Sequence, residues 1–70
     1  MKTLRQTFGV RVRQLRLERG ISQEDFADTC GFARSYMSRI ERGTSNLSLD
    51  GIERLAAAFG ISIEELFKKL

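Results

Sequence analysis

Four glycines divide this sequence into segments that each carry a helical pattern of apolar residues. They stand at positions 20, 31, 43 and 60, each after a stretch in which apolar side chains recur every three or four positions, and there is no proline. Glycine readily takes the left-handed conformation in which many helices end. The pattern predicts helices at about 3–19, 23–30, 34–42, 49–59 and 63–70, and no strand pattern competes. The chain is expected to be all-α.

Serines predict where three of these helices begin. Ser22, Ser48 and Ser62 each precede a helical segment, and Ser62 with Glu65 has the form of a capping box. Segments this short would not hold as isolated helices in water, so they must pack on one another. We predict one domain, 1–70, folded as a compact five-helix bundle.

Composition limits how this domain is stabilised and where it acts. A chain of this size buries only about 60 % of its unfolded surface, so its core is marginal. Cys30 is the only cysteine and histidine is absent, which argues against a disulfide and a zinc site. A second subunit is then the expected source of extra stability. No apolar run approaches the roughly 20 residues that cross a membrane, and the first residues lack the apolar core of a secretory signal. We expect a cytoplasmic protein with no membrane partner.

The net charge of +3 is unevenly distributed along the chain. Residues 1–19 hold six Lys or Arg against one acid, whereas residues 22–30 hold three acids and no base. The pattern fits either a solvated surface of mixed charge or a basic footprint for nucleic acid. Composition alone leaves both open.

The segment 34–42 separates its polar from its apolar residues most clearly. At about 100° per residue, one arc of about 140° collects three arginines and two serines: Arg34, Ser35, Ser38, Arg39 and Arg42. Arginine forks can bond guanine O6 and N7, and serines can bond bases or phosphates. The face therefore suits contact with DNA, while a solvated helix face is the alternative.

The preceding segment gives this helix a partner. Ala27 is small where two steeply crossing helices approach, and Gly31 can form the tight turn between them. Apolar residues at Phe26, Met37 and Ile40 can hold both helices to the core. The spacing predicts a helix-turn-helix at about 23–42.

The stretch "LRLERGISQEDFADTCGFARSYMSRIERGTSNLSLDGIERLAAAFGISIEELF" resembles the helix-turn-helix domain of the phage repressor/Cro family, also called XRE-like. The likeness covers about 8–67. Within the family, "RSYMSRIERG" and the length most resemble the small controller proteins of restriction–modification systems. The resemblance implies a sequence-specific DNA-binding transcription regulator. It would bind a palindromic operator as a homodimer and block or recruit polymerase, possible targets being restriction–modification genes.

The resemblance also implies which residues meet double-stranded DNA. Those at base edges in the major groove would be Arg34, Ser35, Ser38 and Arg39. Those at the DNA backbone would be Gln23, Tyr36, Arg42, Thr44 and Asn46. Tyr36 could instead pack on the second helix. Arg11 and Arg13 could reach flanking phosphates or remain solvated.

Other positions have structural roles in the family. Arg16 and Glu41 match a pair that forms a partly buried ion pair, and an acid beside DNA phosphates needs such a cation. Ala33 and Leu47 depart from the family pattern, which usually has Ser or Thr and then Pro at these positions. Loss of a cap at Ala33 costs about 1 kcal/mol, so the third helix could start late.

The last helix is expected to supply the dimer contact. Two of its apolar residues can complete the core, and we hypothesise that a two-fold interface uses Ile63, Phe67 and Leu70. We expect no enzyme activity, cofactor, metal or small-molecule ligand. The main alternative is a protein-binding adaptor or antitoxin-type module whose helix-turn-helix does not read DNA. Steep weakening of binding with salt would favour DNA.

Overall fold

Five α-helices make up the computed structural model, which describes residues 1–70 and contains no strand. They are α1 (Leu4–Glu18), α2 (Gln23–Cys30), α3 (Arg34–Arg42), α4 (Leu49–Phe59) and α5 (Ile63–Leu66). The middle three begin and end at the residues that the apolar spacing indicates, and α1 is one residue shorter at each end. The all-α prediction is confirmed. None of the helices is long and apolar enough to cross a membrane.

The last helix is the exception, because the prediction of a helix over 63–70 was wrong. It ends at Leu66, and Lys69 has a left-handed φ of 68°. In a continuing α-helix the Glu65 carbonyl would accept from the amide of Lys69; here it accepts from the amide of Lys68 and from the Arg11 side chain. The Glu65 carbonyl at the end of the helix is thus bound by Lys68 and by Arg11, a residue distant in sequence.

Serine caps form at all three predicted positions. The side chains of Ser22, Ser48 and Ser62 each accept a hydrogen bond from the backbone amide three residues on. The predicted capping box at Ser62 is only half formed, because the Glu65 carboxylate lies 3.9 Å from Arg11 and from Lys68. A complete box, which the sequence analysis missed, joins Thr3 and Gln6 instead.

One core joins all five helices through twelve buried apolar side chains. They are Phe8, Val12, Leu15, Phe26, Ala27, Cys30, Met37, Ile40, Leu55, Ala56, Phe59 and Leu66. Stacked rings of Phe26 and Phe59, 4.2 Å apart, join α2 to α4. The core therefore holds α2 and α3 as a rigid pair and leaves the outer side of α3 free of packing.

Helix α1 approaches the end of α3 closely at Gly9. A Cβ added at Gly9 would lie 2.5 Å from the carbonyl oxygen of Ile40 and 2.6 Å from that of Glu41. Only glycine permits this separation, since non-bonded carbon and oxygen atoms do not approach so closely. No sequence motif indicated a role for Gly9, yet this residue permits the short distance between α1 and α3.

Candidate nucleic-acid interface

The polar residues of α3 lie together on one open surface. We call Arg34, Ser35, Ser38, Arg39 and Arg42 the arginine face. With Gln23 of α2 they line a shallow depression of about 260 Å³ that contains no apolar and no acidic residue. Six of the nine residues predicted to contact bases or backbone are thus adjacent in space, while Tyr36, Thr44 and Asn46 lie outside the depression.

The arginines of this face have no acidic partner. The ion pairs of the structure join Arg11 and Lys68 to Glu65, and Arg16 to Glu41. Arg42 donates to the Ser38 hydroxyl oxygen at 2.7 Å, which is a neutral acceptor. Three guanidinium groups therefore keep their full positive charge on an exposed face, which suits binding of a polyanion.

Below this surface, Arg16 and Glu41 form an ion pair between α1 and α3. Two hydrogen bonds of 2.8 and 3.0 Å join the guanidinium to the carboxylate, and Arg16 also donates to the Ile21 carbonyl at 2.8 Å. The side chains are only 9 % and 5 % exposed. Hydrogen bonding to Glu41 raises the pKa of Arg16 against the opposing effect of burial. The pair fixes the orientation of α3.

Gln23 connects this pair to the depression. Its side-chain amide donates to Glu41 at 3.3 Å and is half-buried, while the residue also lines the depression. The Ser22 hydroxyl oxygen, which caps α2, accepts a hydrogen bond from the backbone amide of Asp25. The backbone amides of Gln23 and Glu24 precede the first bond within the helix and remain free to donate.

Tyr36 packs against the turn between α2 and α3. Its ring meets the Phe32 ring edge-on at 5.0 Å and 87°, and the Arg39 guanidinium lies 5.7 Å from its centroid. The ring therefore packs within the protein, and a contact of Tyr36 with DNA stays a prediction. Tyr36 also restricts where Arg39 can lie, since a cation above a ring face is attracted to it.

The segment after α3 contributes less than expected. Thr44, expected to donate to the DNA backbone, directs its hydroxyl to the Arg39 carbonyl at 3.3 Å, where its own amide also donates. That hydroxyl proton therefore closes the end of α3. Asn46 is exposed, and its side chain makes no hydrogen bond to another residue.

Ala33 caps α3 without a side-chain bond, yet the helix begins at Arg34. The expected late start is therefore wrong. The amides of Tyr36 and Met37 both donate to the Ala33 carbonyl, at 3.0 and 3.1 Å, which suffices to begin the helix.

The apolar residues near the C-terminus divide between core and surface. Leu66 is fully buried, and Phe67 is half-buried with its ring stacked on Phe8 at 5.0 Å. Ile63 and Leu70 are 46 % and 44 % exposed. Leu49, at the start of α4, is 84 % exposed.

The structure contains no cluster of metal-binding side chains, and its single thiol is buried. No group of three or more His, Cys, Asp or Glu residues could hold a metal ion. Burial raises the pKa of the Cys30 thiol to about 11, so the neutral thiol prevails near pH 7. Such a thiol is a poor nucleophile, because the thiolate is the reactive form.

Comparison with known proteins gives consistent matches over most of the chain. A family model described as Helix-turn-helix matches residues 12–66. Control protein C.BamHI of Bacillus amyloliquefaciens is 47 % identical over 64 residues, which are 90 % of this chain and 79 % of that protein.

Solved structures match as closely. The restriction–modification controller protein C.AhdI from Aeromonas hydrophila superposes with a TM-score of 0.82 at 48 % identity, over 86 % of this chain and 91 % of that one. SinR, a master regulator for biofilm formation solved in complex with DNA, superposes with a TM-score of 0.79 at 35 % identity. That alignment covers 87 % of this chain and 98 % of the chain in that structure.

Proposed function

The chain belongs to the helix-turn-helix family, and from this membership we propose that it is a sequence-specific DNA-binding transcription regulator. One observation carries the proposal: three arginines and two serines share an exposed face of α3 that no acidic or apolar residue interrupts. The relatives named above are control proteins and a regulator bound to DNA. We assign the chain no catalytic activity.

In this proposal α3 enters the major groove of double-stranded DNA. Arg34, Ser35, Ser38 and Arg39 meet base edges, and Arg34 and Arg39 are best suited to guanine because their forks match O6 and N7. Gln23 and Arg42 meet phosphates, together with Asn46 and the backbone amides that begin α2. Tyr36 supports Arg39 through its ring and would contact the DNA backbone through its hydroxyl. Thr44 joins the backbone set through a bridging water, or by turning its hydroxyl from the Arg39 carbonyl to a phosphate.

The operator is proposed to be palindromic because one module covers little DNA. A single small domain buries about 600–1,000 Å² at a DNA interface, so affinity and specificity favour two copies on two half-sites. Ile63 and Leu70 are exposed apolar residues beside the half-buried Phe67. We propose that these three residues form the two-fold interface of a homodimer.

The regulated genes are proposed to be those of a restriction–modification system. This narrower proposal is supported by the similarity to C.BamHI and C.AhdI. The protein would act by occupancy, either blocking polymerase or recruiting it, according to where the operator lies.

Selection of bound duplexes from a randomised DNA pool, with non-specific competitor present, tests the proposal. We expect an enriched inverted repeat with guanines in each half-site. The double variant Arg34→Ala/Arg39→Ala should fold but enrich nothing, and Glu53→Ala on the exposed side of α4 is the control. Failure of the folded wild type to enrich any sequence would contradict the proposal and favour a protein-binding adaptor.

A further inference from the structure

Arg11 lies on α1, and its side chain reaches the end of α5. Its guanidinium donates to the carbonyl oxygen of Glu65 at 2.7 Å and to that of Leu66 at 3.3 Å. The Glu65 carboxylate lies 3.9 Å away. The Arg11 side chain is only 14 % exposed. An arginine that the sequence left between phosphate contact and solvent is thus bound inside the protein.

The end of α5 needs such a partner. The last carbonyls of any helix have no amide to accept from, and the negative end of the helix dipole favours a cation there. A helix of four residues, Ile63–Leu66, has no stability of its own, because nucleation costs more than so few bonds return. Its position must come from contacts with the rest of the domain.

Leu66, Phe67 and Arg11 make the contacts that position this segment. The contact with Arg11 is polar and lies at the end of the helix. Leu66 is buried in the core, and the Phe67 ring stacks on Phe8. Apolar packing fixes the distance of α5 from α1 but only weakly its rotation. The two hydrogen bonds from Arg11 are directional and fix where residues 65 and 66 lie along α1.

The apolar residues of the proposed interface lie on either side of this point. Ile63 precedes the bound carbonyls, and Phe67 and Leu70 follow them. The turn after α5 includes Lys69 in a left-handed conformation, so its path depends on where α5 ends. A shift of the bound carbonyls would move these apolar side chains relative to one another.

We propose that Arg11 is a positioning residue for the homodimer surface. It holds α5 and the following turn so that Ile63, Phe67 and Leu70 can meet a second copy of the chain. The inference rests on the proposed homodimer and extends it: the residue that sets the dimer interface lies on α1 and contacts neither DNA nor the second copy. Arginine is needed because its fork reaches two carbonyls at once, whereas lysine offers a single ammonium.

The test compares Arg11→Met with Arg11→Lys and with the control Arg13→Met, on the exposed side of the same helix. Sedimentation equilibrium gives the dimer dissociation constant, and titration of a single half-site duplex gives the DNA affinity of each domain. Amide hydrogen exchange at Phe67 and Lys68 reports local order, because these amides bond within the segment at its end.

We expect Arg11→Met to raise the dimer dissociation constant by about tenfold, the effect of losing hydrogen bonds to a charged group. Single half-site affinity should stay within about twofold, and exchange at Phe67 and Lys68 should accelerate. Arg11→Lys should recover part of the loss, and Arg13→Met should leave the dimer dissociation constant and the exchange at Phe67 and Lys68 unchanged. A purely structural role would instead lower half-site affinity and dimerisation together.

Two results would overturn the inference. If Arg11→Met dimerises as tightly as the wild type, Arg11 does not position the interface, and the homodimer itself still stands. If the wild type remains monomeric up to high micromolar concentration, the proposed homodimer is wrong and so is this inference. The proposed base contacts would still be tested separately by the DNA selection. If Arg11→Met does not fold, the Arg11→Lys variant provides the test. A dimer dissociation constant of Arg11→Lys equal to that of the wild type would contradict the proposal.

Discussion

The inner and outer sides of α3 carry charge in opposite ways. On the inner side the Glu41 carboxylate receives two bonds from Arg16 and one from Gln23, and its side chain is 5 % exposed. On the outer side the guanidinium groups of Arg34 and Arg39 have no carboxylate partner. A charge that is paired within the fold stabilises or orients it, whereas an unpaired exposed charge remains available to a ligand.

This difference predicts that changes on the two sides alter different properties. Substitutions on the inner side should lower the free energy of unfolding, and DNA affinity should fall only as the fold is lost. Substitutions on the arginine face should lower DNA affinity at constant stability. The four predictions below either reinforce or break that separation.

Glu41→Ala should have the largest effect. It leaves the Arg16 guanidinium buried without its carboxylate, which costs about 3–5 kcal/mol of unfolding free energy. Urea denaturation followed by circular dichroism measures the loss. The double variant Arg16→Met/Glu41→Leu should recover most of it, because a well-packed apolar pair avoids burying a charge. A loss for Glu41→Ala below about 1 kcal/mol would mean that the pair behaves like an exposed one.

Arg34→Ala and Arg39→Ala should each weaken DNA binding by about 1–3 kcal/mol for the preferred operator, as expected for loss of a bidentate base contact. The melting temperature should remain unchanged because neither guanidinium packs in the core. Fluorescence anisotropy with operator and scrambled duplexes separates lost specificity from lost charge. An equal loss on both duplexes would show that the residue binds phosphate instead of a base.

The arginine face could be predicted from sequence because everything it needs is local. Helical periodicity alone places Arg34, Ser38 and Arg42 on one side, and the core residues Met37 and Ile40 decide which side faces outward. The serine caps are equally local, since each bonds an amide three residues away.

The end of α5 and the role of Gly9 could not be predicted in this way. The carbonyls at the end of α5 are bound by Arg11, more than fifty positions earlier in the chain. Gly9 reads as a poor helix residue, and its use is visible only when the backbone of α3 lies against it. Both features depend on contacts between helices that are distant in sequence, and periodicity carries no information about these.

Gly9→Ala tests the close approach on the inner side directly. The added methyl would press on the carbonyl oxygens of Ile40 and Glu41, both of which belong to the backbone and cannot rotate away. Overpacking costs about 1–3 kcal/mol, and alanine returns up to about 1 kcal/mol through its better helix propensity. We expect a net destabilisation of about 1–2 kcal/mol in urea unfolding. Gln14→Ala on the exposed side of α1 is the control, and equal effects of the two substitutions would contradict the close approach.

Ala33→Ser should give the smallest effect, and it acts where the two sides of α3 meet. Ala33 already has the extended backbone of a cap, with φ −67° and ψ 145°, but offers no side-chain acceptor. A serine there could accept from the free amide of Ser35 or share that of Tyr36, for a gain of about 1 kcal/mol in unfolding free energy. DNA affinity should not change, because α3 is ordered from Arg34 in the free protein. If the substitution strengthened operator binding as much as it stabilised the fold, the first turn of α3 would have to form only on DNA. Stability and DNA reading would then be coupled at this end of the helix instead of residing on separate sides.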